Sequence, residues 1–383
     1  MRKPAGKLAA GGRDLSEVAF LFLLSRVLIV LVGFIAIGTL VHGPYLPDWS
    51  YSGNPVQDVI RMGVRFDSGW YLTIVRDGYS YDPAKVSNIV FFPLYPLAVS
   101  LFGYVGLPDE VAGLLISNLC ALGFSLMLFK LLSLDFSPSD SKRAALYVLI
   151  FPVSFFFSAV YAESLFLFLT VSSFYFARKS NWLAAGALGG LAALTRGPGF
   201  LIFLPLAFEY LEQKRFDLRQ VRPNALALLL VPLGMLLFMA YCQAQFGDAL
   251  AFSHNIVVWN GPHALGLKSL DLFSTFFRQS PKEAPFPMNY VYLSTALSAI
   301  AISFASFKFL RKSYAIYAVL LVFTAFSLGR LDAAMRYMAV IFPLFATLAI
   351  LGRNRTVDIA ITAAFLVLLS LFTAMIAAGY KMF

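Results

Sequence analysis

The run "NIVFFPLYPLAVSLFGYVGL", residues 88–107, decides how the rest of the chain is arranged. It is apolar, but it is short for a membrane crossing and is interrupted by Pro93 and Pro96. If it crossed a bilayer, every later loop would change sides. That question arises because the chain belongs in lipid. Of its 383 residues, 60% are hydrophobic and only 13% are charged, whereas soluble domains carry about 25% charged and about 45–50% apolar residues. So large an apolar fraction cannot be hidden in a core, and the 39 Phe residues suit lipid-facing helices.

A helical span needs about 20 apolar residues. Apolar runs occur at roughly 17–42, 110–132, 143–160, 161–178, 181–196, 198–212, 223–245, 289–309, 313–329, 333–351 and 356–379. The expectation is an all-α polytopic membrane protein, one transmembrane domain over 1–383 with about eleven helices. The first run follows Arg2, Lys3, Lys7 and Arg13 and is too long for a cleaved leader, so it reads as an anchor.

Lys and Arg residues settle the awkward run, because they concentrate in cytoplasmic loops. With 88–107 kept on one side, seventeen of them fall in short inner segments, among them Lys142, Arg143, Arg178, Lys179, the group from Lys214 to Arg222, Arg311 and Arg353. The outer segments hold fewer, spread over much longer loops. Residues 88–107 therefore read as a re-entrant or surface-lying segment of the outer face. The same bias explains the net charge of +10 without nucleic acid. Two long outer loops result, 43–109 with surface helices and 246–288, plus outer turns near 158–164, 195–199 and 329–336. The inner loops read as short, basic and bland. Cys120 and Cys242 sit inside apolar runs and read as small hydrophobes.

Nearly every polar residue that looks out of place falls in an outer segment. In "VRFDSGWYLTIVRDGYS", Asp67 is placed to cap a helix over Ser68–Asp77 that Gly78 stops, with Trp70, Tyr71, Ile74 and Val75 as a face on the membrane surface. A helix start also holds a carboxylate rigidly enough for catalysis. In "FPVSFFFSAVYAESLF", Tyr161 and Glu163 are an interfacial Tyr and a first-turn Glu, or a second polar wall facing Asp67. Arg196, before Gly-Pro-Gly, either snorkels to headgroups or binds an anion. Arg330, Asp332 and Arg336, followed by Tyr337, form either a structural network or a phosphate fork, with Asp332 able to pair with one Arg and leave the other free. Asp248, His254 and Trp259 open the second long loop, where Gly247–Asp248 suffices as a turn and cap. Arg26, inside the first run, reads as snorkelling inward.

An acid, several arginines and aromatics on the outer face suit glycosyl transfer from a lipid phosphate. No nucleotide sugar is available on that side, so an activated sugar must arrive on lipid. The carboxylate takes the acceptor proton, arginines neutralise the departing phosphate, and aromatics bind sugar faces.

At this point the chain resembles the membrane-embedded C-type (GT-C) glycosyltransferases, and specifically bacterial relatives of GPI mannosyltransferase II. The likeness runs from the first span to about residue 345. It rests on "RFDSGWYLTIVRDGY", "FFPLYPL", "FPVSFFFSAVYAESLF", "LAALTRGPG", "FGDALAFSHNIVVW" and "RYMAVIFPLF", in that order. The resemblance implies polyprenyl- or dolichyl-phosphate-mannose as donor, inversion at the anomeric carbon, and Asp67 as general base. It places Tyr161–Glu163, Arg196 and Arg336–Tyr337 around the outer cavity. The sequence departs at Phe66, where relatives tend to carry Trp before the acid.

The expected mechanism has Asp67 deprotonate an acceptor hydroxyl while the lipid phosphate leaves toward Arg336, with Arg196 or Arg330 assisting. Trp70, Tyr161, Glu163, Asp248, His254, Trp259 and Tyr337 complete the expected substrate site. No cofactor is required; a divalent metal would need Glu163, Asp248 and Asp67 to converge. The expected partners are the lipid-linked donor, the bilayer, and a glycan, lipid or protein acceptor that the sequence leaves open. The expected setting is a bacterial inner membrane, amino terminus in the cytoplasm. A transporter or flippase of lipid-linked sugars is the competing class; it calls for mid-membrane polar residues and repeated broken helices, and no internal symmetry is visible.

Overall fold

The computed structural model describes residues 11–41, 43, 52–261, 264, 288–328 and 332–380. Among these residues every regular element is helical: α1 (Gly12–Thr39), α2 (Pro55–Gly63), α3 (Ser68–Asp77), α4 (Leu94–Gly103), α5 (Asp109–Leu132), α6 (Pro138–Leu149), α7 (Glu163–Arg178) and α8 (Trp182–Thr195). The chain continues through α9 (Phe203–Gln213), α10 (Leu230–Phe246), α11 (Ala251–Asn260), α12 (Met288–Phe309), α13 (Lys312–Ser327), α14 (Ala334–Met338), α15 (Phe342–Leu351) and α16 (Arg355–Ala377), with short 3₁₀ turns between.

Five segments are long and apolar enough to cross a membrane: Gly12–Thr39, Asp109–Leu132, Pro223–Phe246, Tyr290–Phe309 and Arg355–Ala377. Shorter apolar helices, α4, α8, α13 and α15, accompany them. On α1 the residues Phe20, Leu23, Val27, Leu31 and Ile35 form an exposed stripe at helical spacing, which is how a helix meets lipid. The all-α polytopic expectation is met. Residues 88–107 contain α4, ten residues long, which rises roughly 15 Å and is too short to cross. One side of it buries Tyr95 and Val99 while Leu97 and Leu101 stay exposed.

The helix α7 is the axis of the bundle, packed between α5 and α8. Phe174 on it meets Tyr314, Tyr317 and Phe342 with ring centroids 5.3 to 5.5 Å apart. Glycines let α8 and α10 approach closely: a Cβ on Gly190 would lie 2.4 Å from the Leu230 carbonyl oxygen, and one on Gly234 would lie 2.2 Å from that of Gly190. Small residues bring membrane helices together in this way.

Arg178, at the far end of α7 from Glu163, pairs with Asp135 and donates to the Tyr314 hydroxyl at 2.9 Å. Nearby, the wholly buried Glu209 accepts from Arg311 Nη2 at 3.0 Å and from Ser313 Oγ at 2.7 Å. Arg353 and Arg143 converge on Asp140 at 2.9 and 3.1 Å. The segments read as bland inner loops are thus ion-pair staples between helices.

Two further expectations change. The run 143–160 is not one helix: α6 stops at Leu149, Pro152 intervenes, and a 3₁₀ turn spans Ser154–Ser158. Arg26 does not snorkel. It is buried and donates to the carbonyls of Leu149 and Ser154, both at 3.0 Å, and to Ser158 Oγ at 2.9 Å. The break releases backbone acceptors that lipid cannot satisfy, and the guanidinium takes them up. Arg26→Ala is expected to destabilise the protein by roughly 1–3 kcal/mol, because the Ser154 carbonyl loses this donor while the Leu149 carbonyl keeps Ser154 Oγ at 2.7 Å. The thermal unfolding midpoint in detergent checks this.

Candidate functional site

Asp67 lies at a sharp corner between α2 and α3. Phe66 before it has φ 48°, a left-handed conformation that costs a bulky residue roughly 1–2 kcal/mol. The Tyr161 hydroxyl brackets this corner. It donates to the Arg65 carbonyl at 3.0 Å and accepts from the Asp67 amide at 3.1 Å. Tyr161 itself is 1% exposed, so the clamp is fixed by the core.

The helix Ser68–Asp77 has the bounds expected, and Gly78 ends it at φ 81°. The capping role of Asp67 is corrected. Its backbone is already right-handed (φ −63°, ψ −17°), and its carboxylate makes no bond to the helix amides. The second correction is the apolar face of α3: Tyr71, Leu72 and Ile74 are buried against Phe91, Tyr95 and Val99, so it packs on protein rather than on a membrane surface. Burial holds the Tyr71 hydroxyl above its ordinary pKa, and the nearby Glu163 charge adds to the rise.

The Asp67 carboxylate meets Arg336 Nη1 from α14. The same guanidinium donates through Nε to Glu163 Oε1 at 2.5 Å. Its central carbon Cζ lies 4.6 Å from the Tyr161 ring centre and 5.3 Å from that of Phe156, within the range of cation–π contact. Arg196 closes the chain: Nη1 is ion-paired with Glu163 Oε1, and the guanidinium lies 5.9 Å from the Tyr337 ring centre. Arg196 therefore does not snorkel to headgroups. Glycine is needed just after it, because a Cβ on Gly199 would fall 2.4 Å from the Ala192 carbonyl oxygen.

The four charged groups alternate in sign and their formal charges cancel. Glu163 is 0% exposed, Arg196 and Arg336 are 13% and 14% exposed, and Asp67 is 25% exposed. Asp67 is thus the member that a ligand from outside meets first. Arg336 takes Asp67 and Glu163 as partners from distant segments, whereas the sequence had offered Asp332 to either Arg330 or Arg336; Asp332 Oδ1 accepts from the Ala333 amide at 3.0 Å. Arg330 lies outside the described residues.

Trp70, one turn beyond Asp67, stacks on Phe91 at 6.4 Å and meets Trp259 edge-on at 5.3 Å. Trp259 Nε1 donates to the Ser87 carbonyl at 3.0 Å, tying α11 to the first long loop. Asp248 is more than a cap. Oδ1 accepts from the Leu250 amide at 2.9 Å, and Oδ2 meets the Tyr81 hydroxyl at 2.9 Å and His254 Nδ1 at 2.7 Å. Asp248 forms a tie between the two long loops through Tyr81, with His254 of its own loop on the same carboxylate oxygen. Glu163, Asp248 and Asp67 do not converge, and no group of three metal-ligating side chains occurs among the described residues.

Two recesses are lined mainly by apolar side chains. A groove of about 550 Å³ is lined by Ile74, Val75, Tyr79, Pro93, Leu194 and Phe238, between α3, α4, α8 and α10. A cavity of about 190 Å³ lies behind Tyr161 and Phe156, with α1, α2, α5 and α16 around it. Phe156 and Tyr81 had not been singled out from sequence. Their signals were weak, one Phe in a run of three and one loop Tyr.

The family profile described as Mannosyltransferase (PIG-V) matches residues 50–252. GPI mannosyltransferase 2 of Yarrowia lipolytica is 33% identical over 110 residues, 28% of this chain and 31% of that protein. The Drosophila melanogaster GPI mannosyltransferase 2 is 30% identical over 172 residues, 40% of this chain and 37% of that protein. The aligned part thus spans about a third of each relative's length. Among solved structures, the apo oligosaccharyltransferase of Archaeoglobus fulgidus aligns with TM-score 0.47 and 17% identity, covering 96% of this chain and 56% of that one. ArnT from Cupriavidus metallidurans bound to undecaprenyl phosphate aligns with TM-score 0.40 and 12% identity, covering 93% and 77%.

Two outcomes are expected from this geometry. Tyr161→Phe, which removes both bonds bracketing Phe66, is expected to cost about 1–3 kcal/mol, read as a lowered thermal midpoint in detergent. The His254 contact, followed by the Tyr81 and Leu250 donors, holds Asp248 below its ordinary pKa of 3.8. Burial, with the Asp248 charge added, pushes Tyr81 up to about 12. A carboxylate with a depressed folded pKa stabilises above its unfolded value and loses that contribution as pH falls through the folded one. The tie is therefore full at neutral pH and is lost only below Asp248's ordinary pKa, as pH falls through the depressed folded value. Hydrogen exchange of the 248–255 amides, corrected for intrinsic rates and followed down in pH, checks this; a loss of protection already complete above about pH 4 contradicts it.

Proposed function

Because the chain belongs to the mannosyltransferase (PIG-V) family, we propose that it is a multi-pass membrane glycosyltransferase of C-type fold that moves mannose from a polyprenyl-phosphate donor to an acceptor hydroxyl, with inversion. The observation that carries this reading is the contact of Asp67 with Arg336 at the mouth of an otherwise buried charge cluster. Asp67 is the accessible carboxylate and serves as general base. Arg336 lies beside it, placed to meet the phosphate that departs as the base works. Arg196 adds a second positive charge behind Glu163.

The apolar groove along α3 and α4 receives the prenyl tail, and its wall residue Leu194 lies two positions before Arg196. The Trp70–Trp259 pair supplies an aromatic surface for a sugar ring near Asp67. The face carrying the two longer loops is the outer one, since the Lys/Arg excess lies at the other end. Acceptor oxygen attacks C1 of mannose from the side opposite the phosphate. Its proton passes to Asp67, and the C1–oxygen bond breaks with its electron pair remaining on the phosphate.

Purified protein incubated with radiolabelled polyprenyl-phosphate-mannose and a membrane extract is expected to label an acceptor. Asp67→Asn is expected to lower transfer by at least about 1000-fold in protein that still folds. Near-normal transfer by a folded Asp67→Asn protein would overturn the base assignment. Movement of the intact donor across a vesicle bilayer, without transfer, would favour a flippase instead.

A further inference from the structure

Glu163 has no step in the reaction above, yet it is the most deeply buried group of the cluster. Oε1 alone carries both cations: Arg336 Nε at 2.5 Å and Arg196 Nη1 in ion-pair contact. Oε2 is buried with no hydrogen-bond partner among the described residues. A fully buried carboxylate persists only where cations compensate it. Conversely, two guanidiniums this close repel each other unless an anion lies between them. Glu163 is that anion.

The bonds of Arg336 give Glu163 a more specific task. Nε is committed to Glu163 and Nη1 to Asp67. During transfer, negative charge leaves Asp67 as it takes the acceptor proton and grows on the phosphate as the C1–oxygen bond breaks. A cation that follows this charge must release Asp67 without leaving the site.

We infer that Glu163 is a positioning residue, the fixed anchor about which Arg336 exchanges the Asp67 carboxylate for the donor's phosphate; this rests on the reading of Asp67 and Arg336 above. Nε stays on Glu163 Oε1 while Nη1 turns from Asp67 to a phosphate oxygen. The Tyr161 and Phe156 rings are the surface over which it turns. No covalent bond to Glu163 is made or broken. In the empty site Asp67 stays paired, and arrival of the anionic donor releases it as a base. The orphan Oε2 gives Arg196 an acceptor of its own while Arg336 keeps Oε1.

The test uses the full chain in detergent with polyprenyl-phosphate-mannose and a membrane extract as acceptor source. Glu163→Gln keeps the shape and removes the charge. It is expected to lower kcat about 100-fold with KM for the donor within about 3-fold, because Arg336 then holds Asp67 without competition. Glu163→Asp restores the charge and is expected to recover at least about 10-fold of that loss. The Glu163→Gln/Arg196→Gln pair is expected to be no worse than Glu163→Gln alone, since both changes act on one charge balance. A kcat within about 3-fold of the parent for Glu163→Gln, no recovery in Glu163→Asp, or multiplying losses in the pair overturns the anchor. If Glu163→Gln does not fold, Glu163→Asp decides. A lowered kcat at unchanged KM and thermal midpoint supports the anchor, and an unchanged kcat overturns it. Activity in Asp67→Asn sinks the base assignment however Glu163 behaves. A normal Glu163→Gln beside an inactive Asp67→Asn sinks only the anchor.

Discussion

One guanidinium shared by two carboxylates, Arg336 between Asp67 and Glu163, is the contact on which the polar end of the bundle depends. It draws the corner before α3, the start of α7 and the short helix α14 to one point, and Arg196 adds the end of α8 through Glu163. Any member left alone in a weakly polar interior would carry a large desolvation penalty. The four groups are therefore stable only as a set. The position of Asp67 is determined from both sides, by Arg336 at its carboxylate and by Tyr161 at its amide.

The same logic runs through the rest of the fold. Arg26 satisfies carbonyls freed by a helix break, and Glu209 gathers Arg311 and Ser313 at the opposite end of α7. These charged side chains act as staples between segments. At the Asp67 end, Tyr161, which clamps the corner, also lines one of the two apolar recesses.

Local structure was legible where one segment carried the whole signal. The bounds of α3 followed from Asp67 and Gly78, and the shortness of the helix within 88–107 agreed with the prolines that interrupt that run. The membrane class followed from composition. Readings failed where a remote partner competed with a local one. Asp67 looked like a cap because its helix starts next to it, yet a charged guanidinium is a stronger partner than a backbone amide. Arg196 and Arg26 looked like snorkelling side chains because an apolar run does not show the acid or carbonyls that will meet it. The run 143–160 looked continuous because hydropathy does not register the freed carbonyls to which Arg26 donates.

The sequence by itself determined the solvent of the protein, the helices that solvent demands, the family, and the polar residues that hydropathy marks as costly. Tertiary structure decided which of those residues meet. Asp67 and Arg336 are separated by 269 positions, and Glu163 and Arg336 by 173. Hydrophobic periodicity is a property of neighbours along the chain, so it fixes helices one at a time. Charge pairing acts through space at a few ångströms, so it is settled only once the helices have packed.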